Sequence, residues 1–89
     1  MEWDIGFSRN SKKFLEKNHL NESFAIEYVK LSINKLSGLS VNVHIKKLSG
    51  KWAGAYRIRV GKIRIICYFH FDRQSVLIEE IDFRGNIYK

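Results

Sequence analysis

The sequence predicts an α+β domain: an N-terminal strand and a helical hairpin packed on a mostly antiparallel sheet of four to five strands. Two observations carry that prediction. Apolar residues alternate near the N-terminus, then recur at helical spacing, then alternate again through the C-terminal half. Helices grouped before a run of strands with short turns belong to α+β domains rather than to βαβ repeats. With 89 residues, 45% hydrophobic and 28% charged, the composition is that of one small globular domain over residues 1–89. That length leaves no room for a cofactor domain beside a substrate domain.

The elements follow in order. Trp3, Ile5 and Phe7 alternate with Glu2, Asp4 and Gly6, which predicts a first strand with one buried face. Ser8 is placed to cap a helix from Arg9 to Asn18, in which Phe14 and Leu15 make a narrow apolar stripe among Lys12, Lys13, Glu16 and Lys17. Asn21 can cap a second helix. Along it Phe24, Tyr28 and Leu31, with Ile26, Val29, Ile33 and Leu36, recur at helical spacing, and Gly38 is placed to end it. Such a stripe predicts core packing against a sheet. Val41, Val43 and Ile45 then alternate with Asn42, His44 and Lys46, and a loop runs from Leu48 to Gly54. From Tyr56 to Phe69 the alternation continues on both sides of Gly61-Lys62, a hairpin signature with glycine at the first turn position. A polar turn at Asp72 to Ser75 precedes a last strand from Val76 to Ile81.

Charge narrows the function. The net charge of +7 favours polyanions, nucleic acid first among them. There is no run of about 18 apolar residues and no basic, tryptophan-rich amphipathic helix, so no membrane partner is expected. The single cysteine, Cys67, lies in an apolar run and reads as a core residue of a reducing, cytoplasmic compartment. The opening Met1, Glu2, Trp3, Asp4 lacks the flank and apolar stretch of a signal peptide. No spacing of His, Cys and carboxylates suggests a metal, and no small-molecule cofactor is expected.

The hairpin yields a geometric expectation. A two-residue turn at Gly61-Lys62 pairs Val60 with Ile63, Arg59 with Arg64, Ile58 with Ile65 and Arg57 with Ile66. One face is then apolar, and Arg57, Arg59 and Arg64 share the other. Like charges set opposite one another on a sheet are destabilising. The cluster is therefore either a solvated polar face or a phosphate site, for which the planar, permanently charged guanidinium is suited. Lys46, Lys47 and Lys51 are either RNA-binding phosphate contacts or ordinary solvated lysines. His19, His44 and His70 read as surface or packing residues. Trp52, in a glycine-flanked loop, can stack on a base or pack over the sheet.

The stretches Ile45-Lys46-Lys47-Leu48, Tyr56-Arg57-Ile58-Arg59-Val60-Gly61, Ile63-Arg64-Ile65-Ile66, Phe83-Arg84 and Ile87-Tyr88 resemble RelE-type toxins of the RelE/ParE toxin–antitoxin superfamily. The resemblance covers nearly the whole chain. It implies the RelE/ParE-like fold and a type II toxin: a ribosome-dependent mRNA interferase that cuts the codon in the ribosomal A site without a metal, by attack of the ribose 2′-hydroxyl. Carried over by position, Arg57, Arg59 and Arg64 stabilise the transition state. Arg84 matches the arginine credited with protonating the leaving oxygen, and Tyr88 the tyrosine credited with stacking on or deprotonating the nucleotide. Tyr88 can otherwise anchor the chain end in the core. Many relatives carry histidine before the arginine matched by Arg84; here Phe83 stands there. The implied partners are the ribosome, its mRNA and a cognate antitoxin. Two other readings share the fold: a ParE-like inhibitor of DNA gyrase, and a non-catalytic RNA- or antitoxin-binding member.

Overall fold

The structure, a computed structural model, describes residues 2–83. The elements are β1 (Asp4–Phe7), α1 (Arg9–Lys17), α2 (Glu22–Leu36), β2 (His44–Lys47), a 3-10 turn (Gly50–Trp52), β3 (Tyr56–Val60), β4 (Ile63–His70) and β5 (Ser75–Phe83). They build a sheet in the order β1-β5-β4-β3-β2. Every neighbouring pair is antiparallel except β1 with β5. This is the α+β arrangement predicted, with β1 brought in as a parallel edge.

Local chemistry sets the helix ends. The Ser8 hydroxyl accepts the Ser11 N–H at 3.1 Å, the N-cap bond that satisfies a first-turn donor. The same hydroxyl donates to the Glu79 carbonyl of β5 at 2.6 Å, and the buried Ser11 hydroxyl reaches the Ile78 carbonyl at 3.2 Å. Ser8→Ala is thus expected to cost about 1–2 kcal/mol, measurable by urea denaturation, because it removes a cap and a strand contact together. At the end of α2, Gly38 takes a φ of 99°. The Gly38 N–H bonds to the Lys35 carbonyl at 3.1 Å and the Leu39 N–H to the Asn34 carbonyl at 3.0 Å, the paired bonds of a Schellman ending.

Both helices cover one face of the sheet. Phe14 and Leu15 of α1 and Ala25, Val29 and Ile33 of α2 pack with Ile58, Ile65, Cys67, Val76, Ile78 and Ile81. Cys67 is fully buried, which pushes its thiol far above the ordinary range and leaves it inert, as a core residue should be.

Two strands differ from their predicted bounds. β2 begins at His44, not at Val41, because its partner β3 ends at Val60: His44 already pairs with Arg59, one residue short of that end. Val43 nonetheless stays buried, and its carbonyl accepts the Lys35 ammonium at 2.9 Å. β5 extends to Phe83, since β4 is long enough to pair Ile63 with Phe83 and His70 with Ser75. Between those ends the register shifts: Ile66 faces Glu80 while Cys67 faces Ile78, so Glu79 is an extra, bulged residue. The bulge resets the alternation, letting Ile78 and Ile81 both face the core although an odd number of positions separates them.

Candidate functional site

The hairpin adopts the predicted register, with Tyr56 opposite Cys67, Arg57 opposite Ile66, Ile58 opposite Ile65, Arg59 opposite Arg64 and Val60 opposite Ile63. Gly61 has a φ of 58° and Lys62 is not in the left-handed region, which suits a turn with glycine first. Residues directly opposite one another share a face, so the face turned away from the helices can be read across the strands. One row runs His44, Arg59, Arg64, Asp82. The next runs Lys46, Arg57, Ile66, Glu80. Adjacent strands lie about 4.8 Å apart, so these side chains form one continuous surface.

The arginines differ in exposure. Arg59 is exposed, Arg57 is half-buried, and Arg64 retains only 5% of its accessible surface. Arg57 keeps its Nε buried without a hydrogen-bond partner among the described residues. An unmet buried donor carries a desolvation cost, which a ligand oxygen would relieve. Arg64 lies directly across from Asp82, a favourable cross-strand placement of opposite charges.

That acid comes from the strand next to the hairpin. The hairpin itself contains no acid, but β5 adds Asp82 and Glu80 beside it, on the same face because of the bulge. The Glu80 carboxyl is held above the ordinary carboxylate range, first by burial and then by the negative charges of Asp82 and Glu79. The face is therefore graded, basic over β2 to β4 and acidic along β5.

The lysines divide. Lys46 sits opposite Arg57 on this face, whereas Lys47 pairs with Tyr56 and belongs to the opposite parity. Lys51 places its Nζ 5.9 Å from the centre of the Trp52 ring, a cation–π contact. Trp52 resolves in favour of packing: with Leu48 and Tyr68 it covers Ala55 and Ile66, forming a small second core on the arginine side. His44 was read as an ordinary surface residue, yet it joins the arginine row. Extending the hairpin register into β2 is the signal that finds it. His70 pairs with Ser75 at the far end of β4, and His19 lies in the helix connection. Phe83 has the parity of Ile63 and packs edge-on against Phe14, with ring centres 5.2 Å apart, on the helix side of the sheet. Arg84 and Tyr88 lie outside the described residues. Among the described residues no three His, Cys, Asp or Glu side chains are grouped to hold a metal ion, and no helix is long and apolar enough to cross a membrane.

Comparison of the sequence with models of protein families and with curated proteins gave no match. Solved structures do match. YafQ of Escherichia coli strain BL21(DE3) superposes with a TM-score of 0.70 at 16% identity, covering 99% of this chain and 100% of that one. The toxin–antitoxin complex RelBE2 of Mycobacterium tuberculosis gives a TM-score of 0.60 at 23% identity, over 94% of this chain and 100% of its counterpart. A metal-bound toxin of Helicobacter pylori gives 0.71 at 11% identity, over 98% and 100%. The superpositions cover nearly all of both chains, and the chain has the fold of the RelE-type toxins.

Proposed function

We propose that this chain is the toxin of a type II toxin–antitoxin pair, an endoribonuclease that enters the ribosomal A site in the cytoplasm and cuts the mRNA exposed there. One observation carries the reading: on a toxin fold, Arg57, Arg59 and Arg64 occupy adjacent positions on the sheet face that the helices leave open. Guanidiniums hold phosphate oxygens through paired hydrogen bonds, and the same donors bind the more negative pentacoordinate transition state more strongly. Arg59 and Lys46, both exposed, contact the backbone, with Lys47 and Lys51 adding phosphate contacts at the margin. Arg84 and Tyr88 act at the leaving oxygen and on the nucleotide. The attacking group is the ribose 2′-hydroxyl, so the products are a cyclic phosphate and a 5′-hydroxyl. A largely acidic antitoxin covers the basic face and keeps the toxin silent; copurification with the product of a neighbouring small gene is the expected sign of it.

A translation extract programmed with one mRNA tests this, with and without ribosomes, using the wild type and Arg84→Ala. Codon-phased cuts that require ribosomes, vanish in the variant and leave cyclic-phosphate and 5′-hydroxyl ends are expected. Cuts ending in 5′-phosphates would replace the 2′-hydroxyl chemistry with hydrolysis by water. Intact mRNA with blocked gyrase supercoiling would make the chain a gyrase inhibitor, and intact mRNA with active gyrase a binding module.

A further inference from the structure

Building on that ribonuclease reading, we propose that Glu80 is the general base of the cut, taking the proton of the ribose 2′-hydroxyl beside the arginines. The bulge at Glu79 turns Glu80 onto the open face, opposite Ile66. Arg64 is its diagonal neighbour on β4, and Arg57 lies on the far side of Ile66, two strand spacings or about 10 Å away. Charge sorts a nucleotide across that gap: the phosphate goes to the guanidiniums and is repelled by the carboxylate, which leaves the sugar on the Glu80 side. A ribose hydroxyl is the group there with a proton to give.

The arginines of this face cannot do this task. Arginine stays protonated at any working pH and cannot accept a proton. A carboxylate raised above its ordinary range is a stronger base than an unperturbed one, which favours general-base catalysis. The charged groups around Glu80 are Asp82 and Glu79 on its own strand and Arg64 on β4. β1 pairs with β5 only from Ser75 to Ile78, with Asp4 at the Ser75 end, and α1 packs on the opposite face.

In the step, the Glu80 carboxylate takes the 2′-hydroxyl proton as the 2′-oxygen bonds to phosphorus. The bond from phosphorus to the 5′-oxygen breaks, and that oxygen takes a proton from a water molecule. The hydroxide left behind takes the proton held by Glu80, leaving the cyclic phosphate and the 5′-hydroxyl.

The test is single-turnover cleavage of ribosome-bound mRNA across a range of pH, with the wild type, Glu80→Gln, Glu80→Asp and His44→Asn. Wild-type cleavage should accelerate as pH rises through the ionisation of Glu80. Glu80→Gln should cleave about 100-fold more slowly, lose that acid-side dependence and bind loaded ribosomes as the wild type does. Glu80→Asp should recover part of the rate together with the pH dependence. Wild-type rate and pH dependence in Glu80→Gln would overturn the proposal while leaving the ribonuclease reading intact. So would loss of the acid-side dependence in His44→Asn when Glu80→Gln retains it. Uncut mRNA with the wild type would instead overturn the ribonuclease reading itself, and the assignment of Glu80 with it.

Discussion

Arg59→Ala is expected to slow ribosome-dependent cleavage about 100-fold with its melting temperature unchanged, whereas Arg64→Ala should lose both activity and stability. The two residues face each other across the hairpin and carry the same charge. They differ in surroundings. Arg59 is exposed, and replacing it removes a charge that water already solvates, an effect on folding within about 0.5 kcal/mol. Arg64 is buried against its neighbours with Asp82 across from it. Truncating it opens space and leaves Asp82 without the opposite charge, at a cost of about 3 kcal/mol. Urea denaturation beside the cleavage assay separates the two outcomes. Equal melting of both variants would mean that Arg64 is solvated like Arg59.

Ile65→Ala should be the more damaging of two substitutions at adjacent, fully buried isoleucines. Ile65 packs in the main core between the sheet and both helices, while Ile66 lies under Trp52, Leu48 and Tyr68 on the other face. Deleting three carbons at the first site is expected to cost about 4 kcal/mol, a large share of the roughly 5–15 kcal/mol that holds such a domain together. The melting temperature should fall by roughly 20 °C. At Ile66 the loop can settle into the space, so the loss should be about 2 kcal/mol. The side effect differs as well: Ile66→Ala should loosen the strand that carries Arg57 and lower cleavage more than its stability loss explains. Thermal melts of both variants, read beside cleavage rates, check each part.

Much of this was legible in the sequence because it depends on short-range chemistry. The Gly61-Lys62 turn fixes the hairpin register, and that register alone sets Arg57, Arg59 and Arg64 on one face. Ser8 and Gly38 mark helix ends through their own side chain and backbone freedom. The acidic edge was not read, although its signal is present. In Val76, Ile78, Ile81 and Phe83 the alternation breaks after Ile78, which is how a bulge looks in a sequence. Unbroken alternation would have put Glu80 and Asp82 among core residues. The parallel pairing of β1 with β5 depends on contacts between distant residues and leaves no local mark. Arg64's burial is likewise a product of its neighbours across strands, invisible to a pattern that counts only its own alternation.

The two serines at the start of α1 have a consequence for synthesis. Ser8 and Ser11 bond to the Ile78 and Glu79 carbonyls at the bulge, which lie 71 positions from Ser8 at the farther contact. β1 likewise pairs only with β5. On a ribosome adding roughly 5–20 residues per second, the first strand has no partner until several seconds after it emerges. The same wait holds back the acidic edge, since β5 supplies Glu80 and Asp82. A partly made chain can form its helices before β5 exists, but the finished sheet waits for that strand. For a protein proposed to attack ribosomes, that order delays assembly of the complete surface until β5 has left the ribosome that is making it.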